Sequence, residues 1–198
     1  MSWSLGEIRS LSVKAARGVG LEWGIAEEAG FAVEWLEAHG IHGAKALAQY
    51  LSKVHREENF VLKNCPLHLG CHISDVDDWS AFKGARIYQP VLTIPFMINT
   101  LQDRIISMSW DTKNITIQKD GISIISNDEI VSEPCKLVHS ISIKPIQNTI
   151  DLVQCKSRVL EDETAYIAIL NALAHETYAP ATEASRIAGA GAGLNDND

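Results

Sequence analysis

Apolar positions spaced three and four apart dominate the first third of the chain. Leu5, Ile8, Leu11 and Ala15 fall on one face of a helix. Ser4, with Glu7 three residues on, forms a capping box in which each side chain satisfies a backbone donor of the first turn, and Gly18 or Gly20 ends the segment. A second helix is predicted from Glu22 to His39, with Trp23, Ala26, Ala29, Gly30, Val33 and Leu36 turned inward and Gly40 as its stop. The third runs from Gly43 to Val54, marked by Leu47, Leu51 and Val54. Ala26, Ala29 and Gly30 offer a neighbouring helix a close approach, and the short connections suit a three-helix unit.

Between Asn64 and Gly84 the periodicity breaks at Pro66, Gly70 and the acidic Asp75-Val-Asp-Asp78 run, which predicts a loop-rich bridge. From Arg86 to Leu160 the period becomes two. Ile115 and Ile117 alternate with Thr116 and Gln118, Asp120-Gly121 supplies a hairpin turn, and Ile122 and Ile124 continue beyond it. Ser140 to Lys144 alternates as well, and Thr149 to Leu152 reads as a further strand. Such alternation marks an antiparallel sheet with one wet face. Tyr88 to Ile98 carries Pro90 and Pro95, so it reads as an edge strand or as a strand leading into a helix near Phe96. A helix from Asp162 to Glu176 places Ala165, Ile167, Leu170, Leu173 and Ala174 at helical spacings. A short helix opening at Pro180 follows and ends before Gly189.

The chain therefore reads as α+β: an N-terminal three-helix unit, a central antiparallel β-sheet and C-terminal helices. One domain over residues 1–198 is expected, with a helical sub-region at 1–60, a β-rich sub-region at 85–160 and a C-terminal helical segment at 161–198. The 46% hydrophobic and 21% charged fractions lie in the globular range, so the chain is expected to fold on its own. With 17 Lys and Arg against 25 Asp and Glu, the net charge of −8 would repel a polyanion, which argues against nucleic acid and acidic lipid as partners. No run approaches the roughly 20 apolar residues of a membrane span. The Met1-Ser-Trp-Ser start lacks the layout of a signal peptide, so a cytoplasmic location is expected, with Cys65, Cys71, Cys135 and Cys155 as reduced thiols.

The C-terminal stretch is the candidate ligand-binding segment. Glu183 and Arg186 stand three apart on one helix face, with Ser185 beside them. Gly189, Gly191 and Gly193 then leave backbone amides open to a bound group, and Arg186 is suited to clamp a carboxylate or phosphate. The competing reading is a surface ion pair followed by a tail. Cys65-Pro-Leu-His68-Leu-Gly-Cys71-His72 contains zinc-type ligands at poor spacing, so no metal is expected and Cys65 and Cys71 are expected to be unbridged. His39, His42 and His55 read as helix-end or exposed residues. Glu27, Glu28, Glu34 and Glu37 include a candidate acid–base pair but read first as a solvated face.

Ser2 to Ile8, Lys14 to Gly18, Trp23 to Gly30, Gln89 to Phe96 and Tyr178 to Asp198 together resemble a bacterial family known as the domain of unknown function 3726 family. His68, Cys71 and His72 stand outside that resemblance, which implies a single-domain cytoplasmic bacterial protein and carries no activity. Leu5 to Leu51, with Gly40-Ile-His-Gly43, is also similar to the N-terminal helices of the malate/lactate dehydrogenase family that lacks a Rossmann fold. That similarity implies His42 as a proton-transfer residue, although the serine of that family's Ser-His-Gly step is missing here. Three roles result: binding of a small anionic or polar metabolite through the C-terminal segment, docking of that segment on a partner chain or a second copy, or an enzyme built on His42.

Overall fold

The computed structural model describes residues 3–56, 64–119, 121–124, 130–131, 135–147, 153–155, 158–159 and 164–177. Its helices are α1 (Leu5–Gly18), α2 (Trp23–Ala38), α3 (Gly43–Arg56), α4 (Pro66–Val76), α5 (Ile94–Ile98) and α6 (Thr164–His175). The strands are β1 (Trp3–Ser4), β2 (Ile87–Tyr88), β3 (Ile105–Trp110), β4 (Lys113–Gln118), β5 (Gly121–Ile124), β6 (Leu137–Val138), β7 (Ser142–Ile146) and β8 (Arg158–Val159). The molecule is α+β, with N-terminal helices, a central antiparallel sheet and a C-terminal helix, as the periodicity predicts.

The capping box at the start of α1 is present. Glu7 N–H donates to Ser4 Oγ at 3.2 Å, and Ser4 N–H donates to Glu7 Oε2 at 2.7 Å. Ile8, Leu11, Ala15 and Ala16 turn into the core from α1, and Ala26, Ala29, Val33 and Leu36 meet them from α2. Gly30 lies so close to α1 that a Cβ there would stand 2.6 Å from Val13. A Cβ on Gly18 would stand 1.8 Å from the Leu173 carbonyl oxygen, so the end of α1 meets α6 backbone to backbone. In α6, Ile167, Leu170, Leu173 and Ala174 are buried, whereas Ala165 is exposed.

The main sheet has the order β5-β4-β3-β7, all antiparallel. The hairpin is as expected, with Ile115 opposite Ile124 and Ile117 opposite Ile122, and Gly121 is already paired with Gln118. Ile106, Met108, Ile115, Ile117 and Ile122 form one buried layer. The opposite face is drier than the alternation implies, because Thr116 at its centre is fully buried between Ser107 and Ser123. β7 carries the strand expected at Ser140 to Lys144, shifted two residues on, while residues 149–152 lie outside the described residues.

Three expectations are corrected. Residues 66–76, read as bridge, form α4: Pro66 occupies the first turn, where its missing N–H costs nothing, and Asp77 closes the helix in the left-handed region at φ 49°. Trp23 is 65% exposed, because it is the first residue of α2 and precedes the turn that faces the core. Glu37 is buried, not solvated. Its Oε1 accepts the Ala44 N–H at 2.8 Å and so caps α3, which has His42 and not a Ser, Thr, Asp or Asn before its first residue. From Tyr88 onward the chain does lead from a strand into a helix, through a 3-10 turn at Pro90–Thr93.

Candidate functional site

The face of α1 that turns away from the core carries Arg9, Ser10, Val13, Lys14 and Arg17 at helical spacing. It looks across at Trp23, Glu27, Glu28 and Phe31 of α2, at Cys71, Ser74 and Asp75 of α4, and at Phe96 and Asn99. Between them lies a cleft of about 870 Å³, a size suited to a small organic ligand. Its position follows from packing. Gly30 draws α1 onto α2, and the Phe96 ring fills the space beside Gly70, where a Cβ would stand 2.3 Å from it. Phe31 and Phe96 meet edge to face at 5.9 Å between centroids and make an apolar wall.

The polar groups are unevenly distributed. Three carboxylates, Glu27, Glu28 and Asp75, line the cleft with two cations, Arg9 and Lys14. Arg9 Nη1 is paired with Glu34 Oε2 of α2 at 2.8 Å. Burial raises the Glu28 carboxyl above its usual range, and the nearby negative charges of Asp75 and Glu27 add to the effect, against a smaller opposing pull from Arg9. Burial, reinforced by Glu28 and Asp75, pushes the Cys71 thiol up to about 12. Cys71 is therefore a neutral thiol at physiological pH and serves as part of the wall instead of as a nucleophile.

Two neighbouring clefts share this face of α1. One of about 420 Å³ lies between Trp3, Ser10, Lys14, Asn171 and His175. The other, of about 480 Å³, is lined by Val13, Lys14, Arg17, Trp23 and Thr177. Lys14 borders all three, and the Arg17 guanidinium sits 4.7 Å above the exposed Trp23 ring at the shared rim.

The residues singled out from the sequence are scattered. Glu183, Ser185, Arg186, Gly189, Gly191 and Gly193 lie outside the described residues, as does the helix expected after Pro180. Of the four glutamates on α2, Glu27 and Glu28 enter the cleft, Glu34 holds Arg9, and Glu37 caps α3. His42 is exposed just before α3 and does not line the cleft. His55 is exposed, 3.5 Å from Glu176, whereas His39, expected at an exposed helix end, is buried against Trp35. Cys65, Cys71, Cys135 and Cys155 are free thiols. On α4, Cys71 faces the cleft and His72 is exposed, and among the described residues no three His, Cys, Asp or Glu side chains converge as a metal site. What the sequence reading missed is the outer face of α1, whose i, i+4 polar stripe was visible, and α4, which was not recognised as a helix.

These elements define an α+β protein whose principal cleft is enclosed by helices. Residues 3–78 match the model of a family described as protein of unknown function (DUF3726), which supports the assignment of the chain to that family. The matched span holds α1 to α4, and so all of the cleft except Phe96 and Asn99. It contains His68, Cys71 and His72, which the resemblance left out, and stops well short of the C-terminal segment on which the resemblance also drew. No curated protein and no solved structure matches the chain. Among the described residues no helix is long and apolar enough to cross a membrane.

Proposed function

We propose that the protein binds a small metabolite bearing a basic nitrogen in the cleft between α1, α2 and α4. The ammonium group is taken by Glu28 and Asp75, an acidic group on the same ligand by Lys14, and its carbon skeleton by Phe31 and Phe96. The observation that supports this reading is the excess of carboxylates in a partly apolar cleft, where burial and the neighbouring charges of Asp75 and Glu27 raise the Glu28 carboxyl above its usual range. A cationic ligand offsets those charges. A plain dianion gains little there, which narrows the sequence-based expectation of an anionic or polar metabolite.

The C-terminal segment belongs to the same proposal. Thr177, the last described residue before it, borders the smaller cleft that shares Val13, Lys14 and Trp23 with the main one. In this reading Arg186 and Glu183, with Ser185 and the glycines at 189, 191 and 193, extend the polar surface open to the ligand.

Thermal-shift measurements on the full chain with a panel of amines, amino acids and dicarboxylates test the proposal. A ligand at 100 times its Kd adds about 2.7 kcal/mol of stability. The expected outcome is stabilisation by an amine or amino acid that is lost in a Glu28→Gln, Asp75→Asn double variant and reduced by truncation after Thr177. Stabilisation by dicarboxylates alone, or stabilisation that survives the double variant, would overturn it.

A further inference from the structure

Outside the cleft, Trp35, His39 and Cys155 come together at the C-terminal end of α2. His39 caps α2 and its ring stacks on Trp35, with centroids 3.7 Å apart and planes 19° from parallel. His39 Nδ1 lies 2.7 Å from the Trp35 carbonyl oxygen. A carbonyl oxygen can only accept, so Nδ1 carries the proton and the lone pair of the neutral ring resides on Nε2. On that side, Cys155 Sγ stands 3.5 Å from His39 Nε2. His39 is buried, whereas Cys155 is exposed. Val153, two residues before Cys155, donates its N–H to Ile122 O at 2.9 Å, which ties this stretch of chain to β5.

The geometry points to Cys155 as a reactive thiol with His39 as its base, a site for modification by low-molecular-weight disulfides and other soft electrophiles. A nucleophile within reach of a base, and a base held in one tautomer and orientation by a third group, is the arrangement that activates thiols in general. Stacking on Trp35 and the carbonyl bond leave the imidazole little freedom to turn Nε2 away. In the exchange, the Cys155 proton passes to His39 Nε2 and the thiolate attacks one sulfur of the disulfide. A new S–S bond forms as the old one breaks, and the departing thiolate takes the proton from His39. Atoms and electrons balance: Cys155 is oxidised to a mixed disulfide and one equivalent of small thiol is released. Cys65 and Cys71 have a different setting. Cys65 is buried, and burial also pushes the Cys71 thiol up.

The test is the rate at which each cysteine of the full chain reacts with iodoacetamide and with oxidised glutathione at neutral pH, read by peptide mass spectrometry. Cys155 in the unfolded chain in urea provides its own reference. Native Cys155 is expected to react about threefold to tenfold faster than unfolded Cys155, because only a few per cent of an ordinary thiol is thiolate at neutral pH. Native Cys71 and Cys65 should react more slowly than their unfolded counterparts. His39→Gln should abolish the acceleration of Cys155 and leave the other thiols unchanged. Native Cys155 reacting no faster than unfolded Cys155 would overturn the inference, and that comparison stands even where His39→Gln fails to fold.

Discussion

The helical half and the sheet reach close packing by opposite means. Where α1, α2 and α6 meet, the contacts rest on residues with little or no side chain: Gly18 against Leu173, Gly30 against Val13, and the buried Ala15, Ala16, Ala26, Ala29 and Ala32. The sheet is built from Ile106, Met108, Ile115, Ile117 and Ile122, whose bulk fills one continuous layer. Small residues let helix backbones approach, but they leave the flanks of the helices without apolar side chains to fill the grooves beside them. These three clefts all border α1, and none of their lining residues belongs to the isoleucine layer. These clefts lie on the half that packs through its backbone.

The comparison can be broken most directly on the sheet side. Ile117 is fully buried, and Ile117→Ala is expected to lower stability by about 2–5 kcal/mol in chemical denaturation. A loss below about 1 kcal/mol would mean that the layer does not share one core with the helices. On the helical side, Gly18→Ala is expected to cost about 3 kcal/mol, the upper end of the overpacking range, because the added methyl meets a backbone oxygen that cannot rotate away. Gly6, in the same helix, has nothing within 4 Å of an added Cβ, and Gly6→Ala should instead stabilise by about 0.5–1 kcal/mol. Equal effects at the two glycines would remove the argument for backbone contact. Ser4→Ala breaks the capping box and is expected to cost about 1 kcal/mol, with loss of helicity by circular dichroism.

The smallest effect concerns Glu28. Its carboxyl titrates above the ordinary value of 4.5 in the folded chain, so folded protein binds this proton more tightly than unfolded protein does. The resulting stability is present below the unfolded value and is lost as pH rises through the folded one. Relative to Glu28→Gln, the wild type should therefore weaken as pH rises through the carboxylate range, by a modest amount because much of the group is in solvent. Urea titrations of both proteins at acid and neutral pH measure this. An unchanged difference between them would show that Glu28 is not desolvated in the cleft. Binding of an amine should weaken on acidification over the same range, as protonation removes the charge that holds it.

Much of the fold is legible in local spacing. The capping box at Ser4 and Glu7, the helix stops at Gly20 and Gly40, and the pairing of the 115–118 and 121–124 strands all depend on residues a few positions apart. Such features are written in the chain because a helix turn or a hairpin is stabilised by its own neighbours. Two helix boundaries were harder. In α4 the Pro66 and Gly70 that suggest a break are tolerated, the first because its N–H is not needed and the second because Phe96 packs against it. Glu37 resembles its solvated neighbours until the turn at Gly40 folds α3 back over it.

The cleft was only half visible. The i, i+4 stripe of Arg9, Ser10, Val13, Lys14 and Arg17 and the adjacent pair Glu27–Glu28 can be read from the chain, and so can the chemistry that each side chain offers. That they face Asp75, Cys71 and Phe96, more than 40 residues away, is decided by how α4 and α5 pack on α2. The same holds for Cys155, which stands 116 residues from His39 in sequence and 3.5 Å from it in space. Periodicity determines which face of an element is apolar, because burial selects for it residue by residue. Which polar faces meet across a groove depends on the packing of whole elements, and so only the tertiary structure decided where Glu28 and His39 would find their partners.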